Sequence, residues 1–352
     1  MVVGTGLIGG SVGMALRRRG WHVSGTDADP SVAERAAELG AVSATGPDPA
    51  ADLVVVATPV RAATAVVKEL LSTVGPGAIV TDVGGVKAPI AAAIDHPLFV
   101  GGHPMAGSEQ VGIDGASADL FVGATWVLTP TSRTDPDAYA RLRSILADIG
   151  ANVLALAPEQ HDALVAVVSH VPHLTAATLM DLASGVGQEH AALLQLAAGG
   201  FRDMTRVAAG QPGIWPDICD ENAGAIVDTL DALIGALSGM RERVARRDRE
   251  GLLEVLDRAA VARRALREAV PRPEGLVEVR IPVVDRPGIV YEILAVPTSL
   301  NIGVVDLEIA HSVEGRKGVL VLVVDEKAAP DLVPALAQAG HRASVQPLGS
   351  VR

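Results

Sequence analysis

Up to about Ala155 the chain is punctuated by short apolar runs: Met1-Val2-Val3, Trp21 to Thr26, Asp52 to Ala57, Ala78 to Val83 and Leu98 to Val100. Most stop at glycine, proline or aspartate, and stretches with apolar residues at helical spacing, such as Ser11 to Arg19, lie between them. Runs this short and this apolar predict strands buried on both faces, which belong to a parallel sheet covered by helices. From Pro158 to Ala269 the spacing is helical, through Leu164 to Leu182, Ile226 to Leu237 and Leu252 to Leu266, and no strand signal interrupts it. Val270-Pro271-Arg272-Pro273-Glu274-Gly275 is a linker by composition. Beyond it, alternation returns in Val277 to Ile281, followed by a helix over Ile289 to Leu300. Strands over Gly303 to Ala310 and Gly318 to Val324 flank a turn at Glu314-Gly315, and a helix over Ala328 to Ala339 leads to a last strand over Ala343 to Gln346. That order, βαββαβ, predicts a small ferredoxin-like unit. The expected architecture is therefore α/β, with a doubly wound domain over 1–155, a helical domain over 156–269 for substrate binding and dimerisation, a linker over 270–275 and a regulatory-sized unit over 276–347.

The first apolar run ends in Gly4-Thr5-Gly6-Leu7-Ile8-Gly9 and leads into a helix. In a Rossmann βαβ unit the first glycine of this G-x-G-x-x-G permits a tight turn, the second lets backbone approach a pyrophosphate, and the third allows close helix packing. Gly4, Gly6, Leu7, Ile8 and Gly9 are thus cofactor candidates. Asp27, at the end of the second strand and 18 residues past Gly9, stands near the spacing of a ribose-binding acid. A carboxylate there accepts bonds from a free 2′-hydroxyl and repels a 2′-phosphate, so the expected cofactor is NAD rather than NADP. The competing reading is a turn aspartate before Asp29-Pro30. Ligands of such sheets sit outside the carboxyl ends of strands, which adds Thr58, Pro59, Asp82 and Gly84, unless these merely stop their strands. Three residues are few for a first strand, and a start upstream of Met1 is expected.

At 352 residues and 49 % hydrophobic, the chain exceeds one core and predicts two or three domains. A net charge of −12 with scattered acids argues against nucleic acid or an anionic membrane as partner and leaves a small-molecule substrate. Cys219 is the only cysteine, so no internal disulfide forms and no cysteine cluster holds a metal. A reducing cytoplasm fits. No secretion leader and no run of 18 apolar residues is expected to engage a membrane.

The strongest chemical signal is Gly101-Gly102-His103-Pro104-Met105-Ala106-Gly107-Ser108-Glu109. His103 follows a strand-like run, so it reaches the sheet end, and its ordinary pKa lets it take a proton near neutrality. Val167-Val168-Ser169-His170-Val171-Pro172-His173 sets two histidines three apart, on one helix face if the helix begins before Pro172. No third ligand stands at usable spacing, so hydrogen bonding to substrate or cofactor is preferred to metal. Phe201-Arg202-Asp203-Met204-Thr205-Arg206 puts an acid and a cation one turn apart, either as an exposed ion pair or as an arginine clamp for carboxylate held by Asp203.

Taken in order, G-T-G-L-I-G-G-S, T-D-V-G-G-V-K, G-G-H-P-M-A-G-S-E, S-H-V-P-H and F-R-D-M-T-R resemble the prephenate dehydrogenases, and the tail resembles an ACT domain. The resemblance implies tyrosine biosynthesis: NAD-dependent oxidative decarboxylation of prephenate to 4-hydroxyphenylpyruvate with CO2 and NADH, or alternatively of arogenate to tyrosine. It also implies His103 as catalytic acceptor of the ring hydroxyl's proton, Arg206 as binder of substrate carboxylate, Asp203 as its orienting acid, and Ser108, Glu109 and His173 in the pocket. Two departures stand out. Gly85 occupies a position where the family usually has serine, and Pro216 follows Trp215 where a basic residue is common. In the tail, Asp285, Gly288, Asn301 and Ile302 fall where ACT domains hold an amino-acid effector, which implies feedback by tyrosine, with Pro297 expected to shorten or kink the first helix. Other readings are a β-hydroxyacid-type dehydrogenase, which wants a lysine base where none lies between Lys87 and Lys317, and a non-catalytic amino-acid sensor, which the intact His103, Asp203 and Arg206 oppose.

Overall fold

The computed structural model describes residues 1–107, 110–189, 197–269, 275–284, 286, 289–311 and 317–347. Two compact units emerge, Met1–Leu237 and Ser238–Arg352. The division falls inside a helix rather than at the expected linker.

The first unit is built on an eight-stranded sheet: β1 (Val2–Val3), β2 (Ser24–Thr26), β3 (Ala44–Thr45), β4 (Leu53–Val56), β5 (Ile79–Asp82), β6 (Phe99–Pro104), β7 (Thr125–Thr129) and β8 (Asn152–Ala155), in the order β3-β2-β1-β4-β5-β6-β7-β8. Strands β1 to β6 run parallel, as their apolar character predicts; all four residues of β4 are buried. The order reverses at β1, between β2 and β4, which opens a crevice at their carboxyl ends. Helices α1 (Leu7–Arg18), α2 (Pro30–Glu38), α3 (Val60–Thr73), α4 (Ala88–Ala93) and α5 (Pro136–Asp148) cover the faces. Asp29 and Asp135 cap α2 and α5 through side-chain bonds to Ser31 N–H, and to Asp137 and Ala138 N–H, each followed by proline at the first helical position.

β6 is longer than expected and changes partner along its length. Phe99 and Val100 pair parallel with β5, and Gly101 to Pro104 pair antiparallel with β7. His103 is therefore inside a strand, opposite Val127, not after one. Two glycines permit this: a Cβ at Gly101 would stand 2.4 Å from Thr129 Oγ1, and one at Gly102 would stand 2.8 Å from the Asp82 carbonyl oxygen.

The helical section continues with α6 (Pro158–Val165), a π-helical turn over Ala166–His170, α7 (Val171–Glu189), α8 (Gly199–Thr205), α9 (Trp215–Glu221), α10 (Ala223–Arg246) and α11 (Arg249–Ala269). Pro158–Gly185 and Ala223–Arg246 are each long and apolar enough to cross a membrane. Histidines and acids interrupt the first and acids and arginines the second, which is why neither appears as an unbroken apolar run.

The second unit also contains β9 (Leu276–Val284), α12 (Ile289–Ser299), β10 (Val304–His311), β11 (Lys317–Asp325), α13 (Ala329–Gln338) and β12 (Ser344–Pro347). The four strands form an antiparallel sheet in the order β10-β11-β9-β12. Its core joins Val279, Ile281, Leu320 and Leu322 to Ile293, Leu332 and Leu336 of the two helices. Pro297 does not shorten α12. It sits in the last turn, where its carbonyl accepts the Ile302 N–H at 2.9 Å, and Asn301 closes the helix in the left-handed region with φ 55°. The expected turn at Glu314-Gly315 lies outside the described residues.

Candidate functional site

The glycine turn after β1 has no room for other residues at two of its positions. Gly4 has φ 89°, and a Cβ there would stand 2.4 Å from the Ala57 carbonyl oxygen at the end of β4. A Cβ at Gly9 would stand 1.8 Å from the Gly4 carbonyl oxygen. At Gly6, by contrast, a Cβ would meet nothing within 4 Å, and this residue begins α1 with no side-chain cap. The turn thus holds open a cradle at an uncapped helix start, where amide N–H groups favour an anion. Leu7 and Ile8 form the first turn of that helix. Asp27 is half-buried at the end of β2 and accepts the Thr5 N–H at 2.8 Å and the Asp29 N–H at 3.1 Å. It is therefore tied to the glycine turn itself. At the end of β4, Pro59 begins α3, and Thr58 Oγ1 is buried with no partner among the described residues.

Asp82 departs from expectation. Its carboxylate does not face the crevice: it is 1 % exposed, accepts the Gly84 N–H at 2.9 Å and the Gly102 N–H at 3.2 Å, and forms a buried ion pair with Lys87. Burial drives the Lys87 ammonium down from its ordinary value, with Asp82 opposing that shift. The pair folds the Val83–Val86 loop back on itself and so places Gly84 and Gly85 rather than presenting a carboxylate to a cofactor. A Cβ at Gly85 would stand 3.7 Å from His103 Nε2, which puts this loop beside the imidazole's outward nitrogen.

The inward nitrogen is held by residues that sequence reasoning missed. His103 Nδ1 lies 2.9 Å from His161 Nε2, and His161 Nδ1 lies 2.7 Å from Asp162 Oδ1. Asp162 also accepts the Lys87 and Ala88 N–H groups, each at 2.7 Å. Asn222 Nδ2 bonds the Asp162 carbonyl at 2.9 Å and lies 3.2 Å from His170 Nδ1. His161, Asp162, His170 and Asn222 are all buried. The only signal in the sequence was a His-Asp pair at the start of an apolar helix, 58 residues from His103. Burial, foremost, and then the charge of Lys87 hold the His103 imidazole well below its usual range, so it is neutral near pH 7.

The helix does begin before Pro172, and His170 and His173 both meet Trp215: His170 edge-on at 6.1 Å and His173 stacked at 3.7 Å. Arg206 and Asp203 are exposed. α8 ends at Thr205, and Arg206 starts a 3-10 turn, which breaks the one-turn spacing the expectation relied on. Ser108, Glu109, Asp285 and Gly288 lie outside the described residues. Among the described residues no group of three or more His, Cys, Asp or Glu could hold a metal.

The geometry describes a nucleotide cradle and, at the ends of neighbouring strands, a neutral histidine with one nitrogen tied down. The family model for the nucleotide-binding domain of prephenate dehydrogenase matches residues 12–155, and that for the prephenate dehydrogenase dimerization domain matches residues 157–258. A prephenate dehydrogenase of Bacillus subtilis is 32 % identical over 339 residues, covering 91 % of this chain and 90 % of the relative. A crystal structure of prephenate dehydrogenase from A. aeolicus, in complex with hydroxyphenyl propionate and NAD+, is 31 % identical with a TM-score of 0.71, covering 75 % of this chain and 96 % of that one. One of Synechocystis arogenate dehydrogenase is 34 % identical with a TM-score of 0.67, covering 75 % and 98 %.

Proposed function

The chain belongs to the prephenate dehydrogenase family, and on that premise we propose how its own residues perform the NAD-dependent oxidative decarboxylation of prephenate to 4-hydroxyphenylpyruvate. The observation that carries the reading is His103: neutral, tied through Nδ1, and facing the Gly84–Gly85 loop with Nε2.

Gly4, Gly6 and Gly9, with Leu7 and Ile8, cradle the pyrophosphate of NAD, and Asp27 takes the ribose. Thr58, Pro59 and Gly84 line the remaining loops. When bound, NAD supplies the hydride acceptor. His103 Nε2 receives the proton of the substrate's ring hydroxyl, so that a carbonyl forms at the carbon being oxidised. Loss of the ring carboxylate as CO2 aromatises the product and supplies the driving force, which leaves the protein to position reactants and stabilise charge. Arg206 binds substrate carboxylate. Ser108, Glu109, Asp203 and His173 are assigned to the substrate pocket by motif, with Trp215 buttressing His173. Gly85 brings no hydroxyl beside His103 Nε2, so another group or a water must take the place of the serine contact.

In the second unit the βαββαβ order and sheet order β10-β11-β9-β12 support a ferredoxin-like, ACT-type domain. Asn301 and Ile302, in the turn after α12, together with Asp285 and Gly288, are assigned to an effector, tyrosine. The chain acts as a homodimer in the cytoplasm.

Arogenate is the second substrate reading, favoured by the similarity to an arogenate dehydrogenase. The two differ by a keto or an amino group. The initial rate of NADH appearance, with each substrate and with or without tyrosine, tests all of this. NADH formation from prephenate, slowed by tyrosine, is the expected result; turnover of arogenate alone would transfer the assignment to it, and a tyrosine-independent rate would remove the effector.

A further inference from the structure

We infer that His161 and Asp162 are positioning residues that fix which nitrogen of His103 carries the proton, leaving Nε2 bare to receive the substrate's proton. The inference rests on the assignment of His103 as the proton acceptor.

The direction of the chain follows from donors that have no choice. Backbone N–H groups can only donate, and Asp162 accepts those of Lys87 and Ala88. A carboxylate committed as an acceptor requires His161 Nδ1, 2.7 Å from Oδ1, to donate. His161 in its neutral form carries one N–H. Its single proton is then on Nδ1, and Nε2 presents a lone pair. His103 Nδ1, 2.9 Å away, must supply the hydrogen to that contact. A neutral imidazole has one proton, so with Nδ1–H committed His103 Nε2 is the base. Without His161 nothing in this geometry prefers that tautomer over the other, which would point an N–H at the substrate hydroxyl and block transfer.

The same contacts serve the product of the transfer. As the substrate O–H bond breaks and Nε2–H forms, the imidazolium keeps its Nδ1–H bond to His161. The Asp162 carboxylate offsets the charge across one intervening ring, and no proton passes beyond His103. Loss of CO2 turns the ring carbonyl into a phenolate oxygen, and Nε2–H returns the proton to it, so that the product carries its hydroxyl and His103 is neutral again. This arrangement follows the logic of hydrolase triads, in which a buried acid sets a histidine tautomer and the wrong tautomer costs up to ~10⁴ in turnover, with a second histidine interposed.

Two substitutions of His161, His103→Asn as reference and one spectrum test it. His161→Phe keeps ring volume and removes the acceptor; turnover should fall about 100-fold or more, with the prephenate KM and the NAD dissociation constant within about twofold. His161→Gln returns a carbonyl oxygen near the place of Nε2 and should recover about tenfold of that loss. In ¹⁵N-histidine-labelled protein, with His103 assigned by the His103→Asn variant, the wild type and His161→Gln should show the Nδ1–H tautomer of His103, and His161→Phe should show Nε2–H. A wild-type spectrum with His103 protonated on Nε2 overturns the inference even if His161→Phe fails to fold. So does wild-type turnover in His161→Phe beside an inactive His103→Asn. An active His103→Asn instead removes the assignment of His103 on which the inference rests.

Discussion

Asp27 and Asp82 both end strands of the same sheet and read alike in the sequence, yet their carboxylates have opposite fates. Asp82 meets the ammonium of Lys87 five residues later and is buried with it, whereas Asp27 stays half-buried and bonds the glycine turn. Spacing could locate both at strand ends but could not see that Lys87 folds back, because that depends on the turn at Gly84-Gly85. Of the two, Asp27 is the one whose carboxylate stays outside a buried ion pair, which is why the ribose is assigned to it. Replacing it with alanine should weaken NAD binding at least tenfold while leaving NADP binding within about threefold, since an acid both accepts from the 2′-hydroxyl and repels a 2′-phosphate. Titration of each dinucleotide checks this, and equal losses would remove Asp27 from the ribose. His103 and the glycines were legible because local motifs carry them. His161 and Asp162 were not, because nothing in a periodic apolar helix marks a polar pair whose partner lies 58 residues away.

At the scale of elements, β6 and the α6–α7 segment concentrate buried histidines. Spacing correctly placed His170 and His173 on one helix face, but not the π-helical turn that ends at His170, since no residue pattern distinguishes that turn from a regular one. His103, His170 and His173 all have imidazoles held below their ordinary pKa, in each case chiefly by burial. The sign follows directly. Unfolded chains bind these protons at about pH 6.5, the folded chain binds them only at lower pH, and so stability declines as pH falls below that point. Above about pH 7 these groups are neutral in both states and contribute no slope. Thermal unfolding midpoints should drop between pH 6.5 and 5.5, a window in which unfolded carboxylates, with ordinary values of about 4, remain ionised. A midpoint that rises on acidification through this window would contradict the placement of the three rings.

At the scale of the whole molecule, the exposed apolar surface of the helical section needs a partner. On α10, Ile226, Leu230 and Leu233 pack with Ala166 and Val171, whereas Leu237 and Val244, on the same face of the helix at i+4 and i+11 from Leu233, are 56 % and 61 % exposed. The stripe that begins as core therefore continues without cover in the isolated chain. Pattern alone could find the apolar spacing, but not where along the helix the core stops. The dimerization-domain match spans this helix, and the uncovered stripe is where a second copy of the chain is expected to pack. Light scattering should then give twice the 36.0 kDa chain mass. Leu237→Asp and Val244→Asp each place a charge in a face that must be desolvated on association, at a cost of several kcal/mol, and together they should yield monomers that keep their helical content. A double variant that still scatters as a dimer would show that this stripe is not the dimer contact.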